Sequence, residues 1–152
     1  GLGIHVNNFL GEDDINPAGF HRLVPGSWMS TMMSPTIVTA EDRPCFALGS
    51  GGSNRIRSAI LQALLNLLVY RRPLDEAVNA ARLHVEGPQL WFESVGLKSG
   101  AAAALAAAWP GATCFDTSSM FFGGVNCVGS ANGTLFGAGD RRRGGVVAIA
   151  EP

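Results

Sequence analysis

Apolar positions recur along the chain with periods that predict three helices. The clearest pattern covers residues 56–70, where apolar residues return every three to four positions. A shorter helix is predicted over residues 73–82, because proline and two acidic residues suit a first helical turn. An alanine-rich helix is predicted over residues 101–109, where a Pro-Gly pair ends it.

Shorter apolar stretches predict β-strands between these helices. They cover residues 1–6, 35–39, 45–48, 90–93, 121–128, 135–137 and 146–150. The second and third strands flank a polar turn and predict an antiparallel hairpin. A second hairpin is predicted around Asn132-Gly133, a pair that tolerates the positive φ of a type I′ turn. Strands, then helices, then more strands predict an α+β fold, with helices packed on one face of a mostly antiparallel sheet.

Composition narrows the classes of function. The 152 residues fit one domain, spanning residues 1–152. The charged fraction is 15%, against about 25% in an average soluble domain, so we expect another segment to cover part of the surface. A net charge of −1 argues against nucleic-acid binding, which needs a basic patch. No apolar run approaches the roughly 20 residues of a membrane span.

A glycine-rich turn at residues 49–54 joins a predicted strand to the main helix. Its sequence, Gly-Ser-Gly-Gly-Ser-Asn, fits neither the dinucleotide-binding fingerprint nor the P-loop. Such a turn points backbone N–H groups at one spot beside a helix N-terminus, which suits an anion or the oxyanion of acyl transfer. The alternative is a sharp turn that only permits close packing. Ser53 or Asn54 is expected to cap the helix.

The acidic run Glu12-Asp13-Asp14 is the second candidate for chemistry. It suits a cation or an amine, or else forms a solvated loop. Arg55 and Arg57 fall in the first helical turns, where a positive charge is disfavoured, so we expect them to pair with a buried carboxylate.

The other reactive side chains predict structural roles. Arginines 141–143 are expected in a solvated turn. The three cysteines are far apart and predict buried, unpaired thiols rather than disulfides or a zinc site. The three histidines lack the spacing of metal ligands, so we expect no metal.

Six short motifs follow one another along almost the whole chain. They are residues 6–8 with the acidic run, Met-Ser-Pro-Thr at 33–36, the glycine turn with Arg-Ile at 49–56, Asp-Glu-Ala-Val at 75–78, Ala-Arg-Leu-His at 81–84 and Leu-Phe-Gly-Ala-Gly-Asp at 135–140. In this order and at these spacings, from about Ile4 to about Ile149, they resemble the small subunit of γ-glutamyltransferases (γ-glutamyltranspeptidases). Met-Ser-Pro-Thr and the glycine turn are the most specific.

The resemblance implies an N-terminal nucleophile hydrolase fold, a four-layer αββα sandwich. In that family a precursor cleaves itself into a large and a small subunit. The new N-terminal Thr attacks the γ-glutamyl carbonyl, with its own α-amino group as the base. Water, an amino acid or a peptide then accepts the γ-glutamyl group. The implied partners are therefore γ-glutamyl small molecules or peptides, and no cofactor is implied.

The resemblance also implies roles for particular residues. The oxyanion hole would consist of the backbone N–H groups of Gly52 and Ser53. A carboxylate of the acidic loop would bind the substrate α-amino group. Common members of the family have Asn-Asn-x-Met-Asp-Asp-Phe in this loop. Aligned without a gap, the second Asp of that motif falls on Glu12, and with a one-residue insertion it falls on Asp13. Both alternatives stay open. Asn8 is a lesser candidate in the same region.

One position departs from the family pattern. Members that bind the substrate α-carboxylate with two hydroxyls have Ser-Ser-Met-Ser-Pro-Thr, where this chain has Thr31 and then Met32. Thr31 keeps a hydroxyl and Met32 does not. A site built around a hydroxyl contact discriminates strongly between substrates by that contact. The alternative function with the same fold is therefore an acylase that acts on glutaryl-cephalosporin-type side chains or on other amides.

The catalytic Thr of the family lies upstream of the segment matched by Gly1–Asn8. We therefore expect this chain to be the C-terminal part of a small subunit and to be inactive alone. Its expected partners are the large subunit and the N-terminal part of the small subunit. A non-catalytic interaction module is the remaining alternative. Many members are exported, which implies a periplasmic or extracellular location, and a cytoplasmic one stays open.

Overall fold

The computed structural model describes residues 3, 4 and 6–150, and within them it contains two β-sheets and three α-helices. The four-stranded antiparallel sheet has the order β1 (Thr36–Ala40), β2 (Arg43–Gly51), β6 (Gly124–Ala131), β7 (Thr134–Ala138). The three-stranded sheet has the order β3 (Leu83–Glu86), β4 (Gln89–Glu93), β5 (Thr113–Phe115). The helices are α1 (Arg55–Leu64), α2 (Leu74–Asn79) and α3 (Ala101–Ala108).

Both predicted hairpins are confirmed. Strands β1 and β2 pair antiparallel, with Ile37 opposite Ala47. Strands β6 and β7 pair across a turn in which Asn132 has φ +50° and Gly133 has φ +80°. Two successive positive φ values define the type I′ turn, whose twist matches that of the flanking strands.

The core lies between the four-stranded sheet and helices α1 and α2. Alternate residues of the central strands, such as Leu48 and Val125, turn toward α1 and are at most 5% exposed. Helix α1 contributes Ile56 and Ile60, which fall one turn apart on the same face. The predicted α+β arrangement, with helices on one face of an antiparallel sheet, is confirmed.

The main predicted helix has two parts. After Leu64 the chain continues as one π-helical turn, Leu65–Val69, in which the Tyr70 N–H donates to the Leu65 carbonyl at 3.0 Å. Helix α1 also reaches the second sheet through Gln62. Its amide donates to the Leu83 carbonyl at 2.7 Å and accepts from the Leu83 N–H at 2.9 Å. This double contact ties the edge strand β3 to the helix.

The second sheet differs most from the predicted elements. Of its strands only β4 was predicted. Strand β5 follows α3 and pairs parallel to β4, so its partner is distant in sequence. The strand predicted over residues 146–150 is wrong, because Val147 packs its side chain against Gly137 instead of pairing. The strand predicted over residues 1–6 lies partly outside the described residues, and Gly3, Ile4 and Val6 belong to no strand.

The other face of the four-stranded sheet is open and apolar. Ile37, Val128 and Leu135 are 59–68% exposed there, and a groove of about 560 Å³ runs across the strands. Within the described part of the chain, no helix has the length and apolar character needed to cross a membrane.

The cysteine prediction is confirmed only in part. All three thiols are free, and Cys127 is buried in the core. Burial raises the pKa of the Cys127 thiol to about 11, because a thiolate would lose its hydration there. Cys45 is half-buried, and Cys114 is exposed because β5 is an edge strand of three residues.

Candidate functional site

The glycine turn is held in a conformation that requires glycine. Gly52 has φ +128°, and a Cβ there would lie 2.7 Å from the Cα of Gly123. Ser53 follows at φ +52°, also in the left-handed region. The turn is fixed on one side by β2, which ends at Gly51, and on the other by α1, which begins at Arg55.

The turn leaves two backbone donors available. Among the residues that the structure describes, no acceptor bonds the N–H of Gly52 or of Ser53. Their carbonyls are used, since they accept from the N–H groups of Arg55 and Ile56 at 3.0 Å each. The predicted side-chain cap is wrong, because Asn54 makes no capping bond and instead donates to Glu86 at 2.9 Å. The Ser53 hydroxyl does not cap the helix either, because its partner is Asp14.

That hydroxyl donates to Asp14, so the acidic loop meets the glycine turn at this residue. Oδ2 of Asp14 accepts from Oγ of Ser53, and Nη1 of Arg55 lies 4.0 Å from the same oxygen. In the described residues, the side chains of Glu12 and Asp13 make no hydrogen bond or ion pair with the turn. The structure therefore brings the third acid of the run to the site, rather than either of the two that alignment favours.

A sequence signal for Asp14 existed. Common members of the resembling family have Asn-Asn-x-Met-Asp-Asp-Phe, in which two acids precede an apolar residue. A two-residue insertion after Asn8 aligns Asp13, Asp14 and Ile15 with Asp-Asp-Phe. The two 3₁₀ turns at Phe9–Gly11 and Asp13–Ile15 accommodate the longer loop.

Asn8 lies within the loop rather than at the turn. Its carbonyl accepts from the Gly11 N–H at 2.9 Å, and its side chain packs against Gly11. The loop is closed by Asn16, whose amide donates to the carbonyls of Phe9 at 2.8 Å and Glu12 at 2.7 Å. The structure thus gives Asn8 a place in shaping the loop.

A cleft of about 270 Å³ joins the glycine turn to the segment that contains Thr31. Its lining combines hydroxyl, amide and guanidinium groups with two apolar side chains: Ile15, Thr31, Met32, Ser34, Ser53, Asn54 and Arg57. The Thr31 hydroxyl oxygen accepts from the Met33 N–H at 3.1 Å, so its own proton stays available. Met32 packs against the core. The Ser34 hydroxyl also lines the cleft, but it donates to the Met32 carbonyl at 3.1 Å.

The two arginines of α1 pair with different carboxylates. Arg55 faces Asp14, while Arg57 lies 3.8 Å from Glu86. The side chains of Asp14 and Glu86 are 35% and 43% exposed, so the predicted partners exist but are not buried.

The structure also contains a buried cluster of charged side chains that was not predicted from the sequence. Arg82 bonds Asp140 at 2.6 Å, and Arg142 bonds Glu93 at 2.5 Å and Asp140 at 3.2 Å. All four side chains are at most 3% exposed. The prediction of a solvated turn is therefore wrong for Arg142. Two positive and two negative charges balance, which makes burial tolerable.

The cluster also supports the turn. Arg82 donates to the Phe122 carbonyl at 3.1 Å, next to Gly123, which Gly52 contacts. Burial lowers the pKa of the Arg82 guanidinium from its ordinary value, although Asp140 opposes this. Burial also opposes the charge of Arg142, but hydrogen bonds and attraction from Glu93 raise its pKa overall.

His84 is structural, as predicted. Its Nδ1 is 2.8 Å from the Ser58 hydroxyl, and its ring stacks on Trp91 with 5.8 Å between centroids. Within the described ranges, no group of three or more His, Cys, Asp or Glu side chains is arranged to hold a metal ion.

Comparison with known proteins identifies the family. The family model described as gamma-glutamyltranspeptidase matches residues 2–150. The chain is 36% identical to Acylase ACY 1 proenzyme of Pseudomonas sp. (strain V22) over 139 residues, which are 91% of this chain and 24% of that protein. It is 28% identical to the glutathione hydrolase proenzyme of Bacillus subtilis (strain 168) over 145 residues, which are 94% of this chain and 24% of that protein. The chain thus spans about a quarter of the length of these relatives.

The solved structures agree. Gamma-glutamyltranspeptidase from Pseudomonas nitroreducens, complexed with L-DON, superposes with a TM-score of 0.76 at 26% identity. The match covers 99% of this chain and 84% of that one. The α+β arrangement is accordingly part of an N-terminal nucleophile hydrolase fold. The chain belongs to the gamma-glutamyltranspeptidase family.

Proposed function

We propose that the complete protein transfers or hydrolyses γ-glutamyl groups of glutathione-type amides through an acyl-enzyme on an N-terminal Thr. This segment would supply the oxyanion donors and part of the substrate site. The observation that carries the proposal is the position of Asp14, whose carboxylate is hydrogen-bonded by Ser53 beside two unused backbone N–H groups.

Each group has a separate task in the proposed reaction. The Thr hydroxyl attacks the γ-carbonyl and its α-amino group takes the proton, so negative charge develops on the carbonyl oxygen. The N–H groups of Gly52 and Ser53 stabilise that charge, because the turn fixes them before the reaction begins. Asp14 binds the α-ammonium group of the substrate. The Thr31 hydroxyl donates to its α-carboxylate.

The nucleophile would come from another segment. The resemblance assigns it to a Thr upstream of the part matched by Gly1–Asn8, so we propose that residues 1–152 form no acyl-enzyme alone. The partners would be the large subunit and the N-terminal part of the small subunit. The open apolar face of the four-stranded sheet supports this, because a second sheet of a sandwich packs on such a face.

A second candidate is an acylase that removes glutaryl-type side chains from amides. One observation favours it, the 36% identity to Acylase ACY 1. The thioether of Met32, at a position where a hydroxyl would bind the carboxylate, affects both kinds of substrate. A glutaryl group lacks the α-amino group of a γ-glutamyl group but keeps the terminal carboxylate. Its binding would therefore depend less on Asp14, whereas Thr31 would still face a carboxylate.

The two candidates separate on a matched pair of substrates. The complete enzyme would be given γ-glutamyl and glutaryl p-nitroanilides, and kcat/KM would be measured for each. Preference for the γ-glutamyl amide supports the first candidate, and preference for the glutaryl amide supports the second. Turnover of neither would contradict both and favour a non-catalytic module.

A further inference from the structure

Arg55 is held more firmly than an exposed helix arginine. It is the first residue of α1, where the helix dipole disfavours a positive charge. Its side chain is nevertheless only 25% exposed. Nε donates to the Phe121 carbonyl at 3.2 Å, and the guanidinium carbon lies 4.9 Å from the centroid of the Phe121 ring. These two contacts fix the plane of the guanidinium.

The held guanidinium faces one oxygen of Asp14. Arg55 and the Ser53 hydroxyl both approach Oδ2. Within the described part of the chain, Oδ1 has no hydrogen-bond or ion-pair partner. A carboxylate offers about four acceptor positions on its two oxygens, so the second oxygen keeps its capacity for a ligand.

These contacts also attach the loop to the rest of the molecule. Residues 6–35 contain two 3₁₀ turns and no strand, and the hydrogen bonds within them are local. Among the described residues, the polar side-chain contacts that join this segment to the glycine turn and α1 both end on Asp14. Ser53 and Arg55 belong to the element that carries the oxyanion donors.

We propose that Arg55 is a positioning residue that fixes Oδ2 of Asp14, so that Oδ1 meets the substrate ammonium group at a set distance from the Gly52 and Ser53 donors. This inference rests on the proposed function, since it assigns the ammonium group to Asp14. Lysine cannot replace Arg55 fully. Its single ammonium group cannot bond the Phe121 carbonyl, cover the ring and reach Asp14 together.

Steady-state kinetics of the complete enzyme tests the proposal. Arg55→Ala and Arg55→Lys are compared with Arg43→Ala, which removes an exposed arginine at the opposite end of β2. For Arg55→Ala we expect KM for the γ-glutamyl anilide to rise about five- to tenfold, with kcat changed by less than about twofold. The KM of Arg55→Ala for the glutaryl anilide, which has no amino group, should change by less than about twofold. Arg55→Lys should recover part of the loss, and Arg43→Ala should behave as wild type.

Hydrogen exchange of the acidic loop gives a readout that needs no substrate. Amides of residues 12–16 should exchange faster in Arg55→Ala than in wild type or Arg43→Ala, because the loop loses an attachment. Unchanged exchange together with unchanged KM would overturn the positioning role. An equal rise in KM for both anilides would also overturn the positioning role, because it would show that Arg55 only supports the fold. If Arg55→Ala does not fold, Arg55→Lys carries the same comparison.

The two proposals fail in different ways. A wild-type enzyme that does not turn over γ-glutamyl amides removes the proposed function, and with it the substrate role of Arg55. A wild-type enzyme that does turn them over, with both anilides equally affected by Arg55→Ala, removes only the role of Arg55.

Discussion

Two groups of arginines and carboxylates occur near the glycine turn, and they differ most in exposure. In the first group, Arg82 and Asp140 are 2.6 Å apart and almost fully buried. In the second group, Arg55 and Asp14 are 4.0 Å apart and 25% and 35% exposed. The same two functional groups therefore serve different purposes.

The two aspartates also differ in how many of their carboxylate oxygens have hydrogen-bond or ion-pair partners. Both oxygens of Asp140 are used, by Arg82 and the Val125 N–H on one side and by Arg142 on the other. In Asp14 the contacts within the described residues fall on one oxygen. A carboxylate with every acceptor filled stabilises the fold, whereas one with a free oxygen beside a cleft can bind a ligand.

Removing a charge from the buried cluster should have the largest effect. We expect Asp140→Ala to lower the free energy of unfolding of the complete enzyme by about 3–5 kcal/mol, because it leaves Arg82 and Arg142 buried with too little negative charge. Denaturant-induced unfolding measures this. Asp75→Ala is the matched control, since its pair with Arg141 is 2.8 Å long but 59–74% exposed. The control should cost at most about 1 kcal/mol. Equal effects of the two variants would contradict the contrast drawn above.

The second largest effect is expected on kcat, when a methyl group is added to the glycine turn. In Gly52→Ala the new Cβ would overlap Gly123, and φ +128° is strained for alanine, so the turn must move. Displaced oxyanion donors should lower kcat by about 10²–10³. In Gly51→Ala the Cβ meets nothing closer than 3.7 Å, so we expect a much smaller loss. A similar kcat for both variants would argue against an oxyanion role for this turn.

The smallest effect concerns a thiol rather than a charge pair. Because burial raises the pKa of Cys127 to about 11, about 0.1% of this thiol is ionised at pH 8. Alkylation by iodoacetamide at pH 8, located by peptide mass spectrometry, should modify exposed Cys114 and leave Cys127 unmodified until the protein unfolds. Above the ordinary pKa of 9.0, the unfolded state ionises first, so Cys127 lowers stability as pH rises from about 9 to 11. Rapid labelling of Cys127 in the folded protein would contradict its burial.

The elements that follow from local patterns were predictable from the sequence. Helix α1 and both hairpins are examples, because helical period and Asn-Gly chemistry act over a few residues. Strand β5 was not, since its pairing with β4 depends on a helical crossover. The burial of Arg142 was equally hidden, because its partner Glu93 lies far away in the sequence and three consecutive arginines are typical of a solvated turn.

The candidate site divides in the same way. The conformation of Gly52 was expected from the glycine turn itself. The place of Asp14 was not, because the choice among three consecutive acids depends on how the loop folds back onto Ser53. Family membership was inferred from ordered motifs, and it is confirmed by the match over residues 2–150.

The most direct test of the account compares the three acids in the complete enzyme. Glu12→Gln, Asp13→Asn and Asp14→Asn would each be assayed for kcat/KM on γ-glutamyl and glutaryl anilides. We expect Asp14→Asn alone to lower the γ-glutamyl value, by about 10- to 100-fold, since it loses a charge-assisted bond to the ammonium group, and to spare the glutaryl value. A selective loss in Glu12→Gln or Asp13→Asn, with Asp14→Asn unaffected, would contradict the assignment of the ammonium site to Asp14.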